Sequence, residues 1–268
     1  MRVTLFSSIA VILYIAAGWT LALRLSKQKT QGSGWKSPVT LGLIATGFHA
    51  FVLYKEFFTP QGINFGFFNA VSLLSWMIAL FLIIASYSKP VENLGIAIFP
   101  LAGMAIILTL AFPSSHFLSF EDVSMLEAHI LISIFAYSFL SIAAVQAILL
   151  SIQNKHLHNQ HPGGFIRALP PLQTMETLMF QMLAMGFVLQ SFSLISGFIF
   201  LDDMFAQHLV HKTILSILAW IIFAILLWGR WKFGWRGKIA IRWTLGGFVS
   251  LLLAYLGSKM VLEIMLGR

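Results

Sequence analysis

The hydrophobic positions along the chain fall into eight long stretches, and polar or charged residues are gathered between them. Each stretch is near the ~20 residues that an α-helix needs to cross the hydrocarbon core of a bilayer. The pattern therefore predicts an all-α, polytopic membrane protein with about eight transmembrane helices in a single membrane domain, residues 1–268. The predicted spans are 3–24, 38–58, 66–86, 93–112, 126–151, 175–200, 210–229 and 239–262.

The charged residues predict the orientation of these spans. Basic residues cluster after the first and seventh spans: Arg24, Lys27, Lys29 and Lys36, then Arg230, Lys232, Arg236, Lys238 and Arg242. Acidic residues lie after the fourth and sixth spans: Glu121 and Asp122, then Asp202 and Asp203. Because cytoplasmic loops carry an excess of Lys and Arg, we expect the odd-numbered connections inside the cell and both termini outside.

Composition supports a membrane protein and removes several function classes. Hydrophobic residues make up 59% of the chain and charged residues 10%, against roughly 45–50% and about 25% in soluble domains. The formal charge of +8 is explained by the cytoplasmic loops, so nucleic acid is not expected as a partner. The chain has no cysteine, which excludes disulfides, thiolate metal sites and covalent haem attachment. Protease, hydrolase and Walker-type motifs are also absent, so we predict no enzyme.

Two histidines lie within predicted spans, where a polar side chain needs a partner or a function. His49 is halfway along the second span, and His129 is one turn inside the outer end of the fifth. A pair of imidazoles on separate helices suits bis-imidazole ligation of haem iron, although each could instead bond a neighbouring helix. The other histidines are weaker candidates in connections or at span edges: His116, His156, His158, His161, His208 and His211.

Other polar residues in the spans are expected to hold helices together. Gln146, Gln181 and Gln190 are predicted to make interhelical hydrogen bonds. Trp76 and Trp220 lie nearer span interiors than the interfacial belt where tryptophan usually collects.

The order of three motifs resembles the cytochrome c assembly family of membrane proteins, in particular its small eight-helix branch of HemX-like and YpjD-like proteins. Residues 68–76, Phe-Asn-Ala-Val-Ser-Leu-Leu-Ser-Trp, are similar to the family's N-x-x-E-S-L-x-F-x-S-W helix without its Glu. The stretch from His129 through Ser133 to Ser138 is similar to a helix whose His is an outer haem ligand in haem-exporting members. Residues 212–220 and 234–238 resemble the late helix and its G-W-R-G loop.

The chain also departs from that pattern. The tryptophan-rich outer motif of haem-exporting members is replaced by Leu-Asp-Asp-Met-Phe at 201–205, and the expected second outer His is missing at 257–260. An inner-side His is likewise replaced at 228–230. The resemblance therefore implies a haem-binding fold that has lost haem presentation to apocytochrome.

The favoured hypothesis is a haem-binding or haem-handling protein of the bacterial inner membrane, with non-covalent haem b. His49 and His129 would be the iron ligands, Asn69, Ser72 and Trp76 would line the pocket, and Lys212 could pair with a propionate. One alternative is a cofactor-free regulatory or scaffolding protein that binds a membrane or cytoplasmic partner through basic loops 25–37 and 230–242. Another is a small-molecule or cation transporter, which the scarcity of carboxylates inside the spans disfavours.

Overall fold

The computed structural model describes residues 2–26, 38–59, 62–64, 66–113, 117–118, 124–158, 169–200 and 210–257. Within those residues the chain forms eight long helices. They are α1 (Arg2–Ser26), α2 (Pro38–Phe57), α3 (Phe67–Ser86), α4 (Gly95–Ala111), α5 (Ser124–His158), α6 (Leu172–Phe200), α7 (Val210–Phe233) and α8 (Gly237–Leu252). A 3-10 turn, Glu92–Leu94, precedes α4, and a π-helical turn, Leu253–Gly257, follows α8.

Seven of these helices are long and apolar enough to cross a membrane, counted over the described residues. The exception is α2, which is 20 residues long and ends beside Lys55 and Glu56. The prediction of a polytopic, helical membrane protein is therefore confirmed, and seven of the eight predicted spans meet the length and apolarity that crossing requires.

The helix boundaries differ from the predicted spans mainly in α5. Residues 152–158 were predicted as the start of a loop, but they continue α5, so His156 and His158 lie in its last turn. The prediction was wrong there because it ended the helix where the apolar pattern ends, whereas Gln153 and Lys155 are good helix formers. At 35 residues, α5 is about 52 Å long, more than the ~30 Å hydrocarbon core.

A small antiparallel sheet joins helix ends and was not predicted. Its strands are β1 (Phe58–Thr59), β2 (Gly62–Asn64) and β3 (Phe117–Leu118), in the order β1-β2-β3. Phe58 pairs with Ile63, and Ile63 pairs with Leu118. Strands of two or three residues are too short to show an alternating pattern in the sequence.

The described helices form two compact units. The first contains α1 to α4 and the small sheet; α1 packs against α2 and α4, and α3 packs against the same two helices. Its centre is the buried ring of Phe99, which faces two glycines. A Cβ atom on Gly42 would lie 2.5 Å from this ring, and one on Gly95 would lie 2.7 Å from it. The Phe99 ring therefore occupies the space that side chains at positions 42 and 95 would otherwise fill.

The second unit contains α5 to α8, and α5 and α6 form its most extensive helix pair. At Gly186 these two backbones approach so closely that an added Cβ would lie 2.6 Å from the Leu140 Cγ and 3.2 Å from its backbone nitrogen. Small residues permit this close packing, which favours association of helices in lipid.

A carboxylate at the start of α6 ties down the connection between α7 and α8. Glu176 accepts a 2.9 Å hydrogen bond from Arg230 Nη1 and a 3.0 Å bond from the backbone N–H of Gly237. The connection turns through Gly234 and Gly237, at φ +66° and +55°, values that other residues rarely adopt. A partly buried ion pair with a further backbone donor thus fixes the geometry of this hairpin.

We expect Gly186→Ala to leave the second unit roughly 1–3 kcal/mol less stable than Gly246→Ala does. Overpacking against Leu140 costs about 1–3 kcal/mol, and the better helix propensity of Ala returns at most about 1 kcal/mol. Gly246→Ala is the matched control, because nothing lies within 4 Å of its added Cβ. Unfolding in mixed micelles, followed by circular dichroism, measures both. Equal stability of the two variants would contradict the close approach.

Candidate functional site

His49 is completely buried where three helices of the first unit meet. Its Nδ1 lies 3.3 Å from the hydroxyl of Tyr14 on α1. Its Nε2 lies 2.9 Å from the hydroxyl of Ser72 on α3. Both ring nitrogens therefore have a partner, as a neutral imidazole in an apolar environment requires.

The hydrogen atoms of this cluster do not match its acceptors one to one. Tyr14, neutral His49 and Ser72 each contribute one hydrogen, but only two contacts join them. If Tyr14 donates to Nδ1, then Nε2–H donates to Ser72, whose own hydrogen has no acceptor in the cluster. In the other tautomer Ser72 donates to Nε2, and the Tyr14 hydrogen is the one left over. One donor remains unmatched in either arrangement.

Two of the predicted pocket residues bond to backbone carbonyls. Trp76 Nε1 donates to the carbonyl of Thr46 on α2, at 2.8 Å, one turn from His49. Asn69 is buried, and its Nδ2 donates to the carbonyl of Asn64 at 3.2 Å. These side chains fix α3 against α2 and against the turn that precedes α3. Of the three predicted lining residues, Ser72 contacts the imidazole directly.

His129 belongs to the second unit and has a defined tautomer. Its Nδ1 lies 2.9 Å from the hydroxyl of Ser196 on α6, and that hydroxyl donates its single hydrogen to the carbonyl of Ser193, at 2.9 Å. When Ser196 donates to that carbonyl, Nδ1–H donates to Ser196 and the lone pair of the ring is on Nε2.

The polar contacts continue along α5 at intervals of four residues. Ser133 donates to the carbonyl of His129 at 2.7 Å and lies 2.7 Å from the hydroxyl of Ser193. Tyr137, a turn further on, donates to the carbonyl of Leu251 at 3.0 Å. The sequence predicted the position of His129 and missed its partner Ser196, whose only signal is a serine spacing of three along α6.

The remaining candidates lie elsewhere. Lys212 is in the first turn of α7, partly exposed, and His211 beside it is exposed. His156 and His158 are also exposed, and the Nδ1 of His156 bonds the carbonyl of Ile152 in its own helix. Three further histidines fall outside the described residues: His116, His161 and His208.

Two of the three predicted glutamine contacts are confirmed. Gln146 donates to the carbonyl of Met175 at 3.2 Å, joining α5 to α6. Gln190 donates to the carbonyl of Ser216 at 3.0 Å, joining α6 to α7. The prediction is wrong for Gln181, which is exposed and bonds nothing that the structure describes. The sequence of α6 is so uniformly apolar that it does not indicate which face of the helix carries Gln181.

The described residues contain no group of three or more His, Asp or Glu side chains that could hold a metal ion. A porphyrin supplies four nitrogen ligands itself, so a haem site requires only one or two protein ligands. An imidazole with one nitrogen held by the protein and the other unbonded, such as that of His129, fits this requirement.

Comparison with known proteins agrees with the motifs in the sequence. The family described as cytochrome C assembly protein matches residues 39–266. The inner membrane protein YpjD of Escherichia coli (strain K12) is 30% identical over 264 residues, covering 95% of this chain and 98% of that protein.

More distant relatives carry names connected with haem proteins. Protein HemX of Brevibacillus brevis is 20% identical over 76% of this chain and 79% of its own length. Cytochrome c biogenesis protein CcsA of Gloeobacter violaceus is 29% identical over 35% of this chain and 29% of its own. No solved structure matches. With a family match across most of its length, the chain belongs to the cytochrome c assembly protein family.

Proposed function

We propose that this chain binds and handles haem in the bacterial inner membrane, and that it does not present haem to apocytochrome. Family membership supports a haem-related role, and a relative named an inner membrane protein supports the location. The observation that carries the proposal is the 2.9 Å contact between His129 Nδ1 and the Ser196 hydroxyl, which orients the ring through one nitrogen and leaves Nε2 for iron. The proposal includes no catalysed step.

His129 has the arrangement that an axial ligand needs. Protein histidines that bind metals almost always donate their second ring N–H to the protein, which fixes the ring orientation and makes the ligating nitrogen more basic. Ser196 accepts that bond, and its own hydrogen is committed to Ser193. When bound, haem would supply iron and a flat apolar ring. Since the chain has no cysteine, the haem would be held without thioether bonds.

His49 is proposed as the second ligand, and binding iron would require the exchange of its hydrogen bond to Ser72. Ligation through Nε2 would displace the Ser72 hydroxyl, while Nδ1–H would donate to Tyr14. A displaced serine in a helix can donate to a carbonyl one turn earlier, as Ser133 does to His129. The exchange therefore costs about one ordinary hydrogen bond, near 1 kcal/mol.

The other proposed residues have supporting roles. Asn69 and Trp76 position α3, which carries Ser72. Lys212, near the end of α7 that we propose faces outward, would pair with a propionate. The absence of the tryptophan-rich motif at 201–205 and of a second outer His at 257–260 supports the loss of haem presentation.

Haem titration of the purified full-length protein tests these roles through the Soret band. We expect His129→Ala and His49→Ala each to weaken haem binding at least tenfold, and Ser196→Ala to weaken it about 10–100-fold, as for partners of metal-bound histidines. Imidazole added to His129→Ala should restore part of the band. The matched control is His156→Ala, which removes an exposed imidazole bonded only within its own helix.

The experiment tests the two proposed iron ligands, His129 and His49, separately. A Soret band unchanged in His129→Ala would reject the central assignment, and one unchanged in His49→Ala would reject the second ligand. Identical spectra for wild type and all variants would leave a scaffold without a cofactor.

We further propose that odd-numbered connections face the cytoplasm. The absence of native cysteine makes substituted-cysteine labelling of intact spheroplasts unambiguous. Tyr87→Cys after α3 and Phe233→Cys at the end of α7, both exposed positions, should resist an impermeant maleimide until the cells are lysed. Phe58→Cys after α2, also exposed, should be labelled at once. The reverse labelling pattern would mean that the odd-numbered connections face outward.

A further inference from the structure

A basic and aromatic surface lies at one end of the second unit, on the last turns of α7 and the first turns of α8. We define the basic–aromatic surface by six exposed side chains: Trp228, Trp231, Lys232, Arg236, Lys238 and Arg242. Trp231 is 82% exposed and Trp228 57%. Large aromatic side chains with this exposure need an apolar or interfacial environment.

The side chains of this surface project from two helix faces. Trp228, Trp231 and Lys232 are three and four residues apart on α7, so they share one face. Lys238 and Arg242 are four apart on α8 and share another. The surface therefore presents two tryptophans and a lysine on α7 and two cationic side chains on α8.

The fold holds this region in one conformation. The Trp235 ring packs over Gly229 so closely that a Cβ there would lie 2.4 Å from it. Arg230 and the N–H of Gly237 are bonded to Glu176. The connection is thus fixed before any partner arrives, which lowers the entropic cost of binding.

The cationic groups of the surface are nearly uncompensated. Lys232, Lys238 and Arg242 form no ion pair with the residues that the structure describes. Arg236 approaches Glu176 through Nε at 3.8 Å, with 63% of its side chain exposed, and the shorter 2.9 Å pair of that carboxylate is with Arg230. Among the described residues, Glu176 is the one carboxylate paired with this region, against five basic residues, so most of the positive charge is available to an external anion.

We propose that the basic–aromatic surface binds the phosphate groups of anionic phospholipids. Both helices are long and apolar enough to cross a membrane, so their ends lie where lipid headgroups are present at high local concentration. Tryptophan is enriched at that level of the bilayer, and Lys and Arg there are attracted to an anionic leaflet. An acidic protein segment would satisfy the charges but would leave the exposed tryptophans unexplained.

Native mass spectrometry of the full-length protein in neutral detergent tests the proposal with phosphatidylglycerol and phosphatidylcholine of matched chains. We expect tight binding of phosphatidylglycerol alone, weakened at least tenfold by Lys232→Gln with Lys238→Gln. The matched control is Lys55→Gln with Lys89→Gln, which removes the same charge from the first unit and should leave binding unchanged. For the wild type, raising the salt concentration should weaken binding through screening.

Several results would overturn the proposal. They are equal binding of the two lipids, equal losses in the test and control pairs, insensitivity of wild-type binding to salt, and displacement of phosphatidylglycerol by millimolar inorganic phosphate or by a polyglutamate peptide. The salt and displacement arms use the wild-type protein, so they decide the matter even when a variant fails to fold.

Discussion

Backbone polar groups inside hydrocarbon must find partners within the protein, because no water is there to supply them, and an unpaired buried side chain is costly for the same reason. In both units this constraint determines which helix faces which. Tyr14, His49 and Ser72 join three helices of the first unit at one point. In the second unit, His129 with Ser196, and Ser133 with Ser193, join α5 to α6 at successive turns. The candidate site is therefore part of what holds each unit together.

Hydrophobic length alone predicted most of the fold, because helices are the simplest way to satisfy the backbone in a bilayer. The prediction from hydrophobic length was wrong where the local structure does not depend on apolar residues. The polar end of α5 stays helical through His158 by propensity, and β1 to β3 are too short to leave a pattern. Similarly, α2 has the expected bounds but ends beside two charged residues, so it does not reach the apolarity of the other seven.

The sequence indicated which residues are candidates for a site but not what they contact. His49 and His129 are conspicuous because imidazoles are rare inside spans. Tyr14 and Ser196 are not, since tyrosine and serine are common in membrane helices, and they lie 35 and 67 residues from the histidines they bond. The sequence also does not indicate the hydrogen bonds of Glu176, because its partners come from α7 and from the first residue of α8. Pairings of this kind depend on tertiary structure.

The two histidines differ in how freely their protons can be rearranged. In the His129 group the only hydroxyl hydrogen is committed to a carbonyl, so the ring has one stable orientation of its dipole. In the His49 group, the same heavy-atom positions accommodate two opposite directions of hydrogen bonding. Exchanging them reverses the local dipole without displacing any side chain. The completely buried imidazole of the first unit thus has two hydrogen-bonding arrangements, which give it a residual entropy and a polarisability.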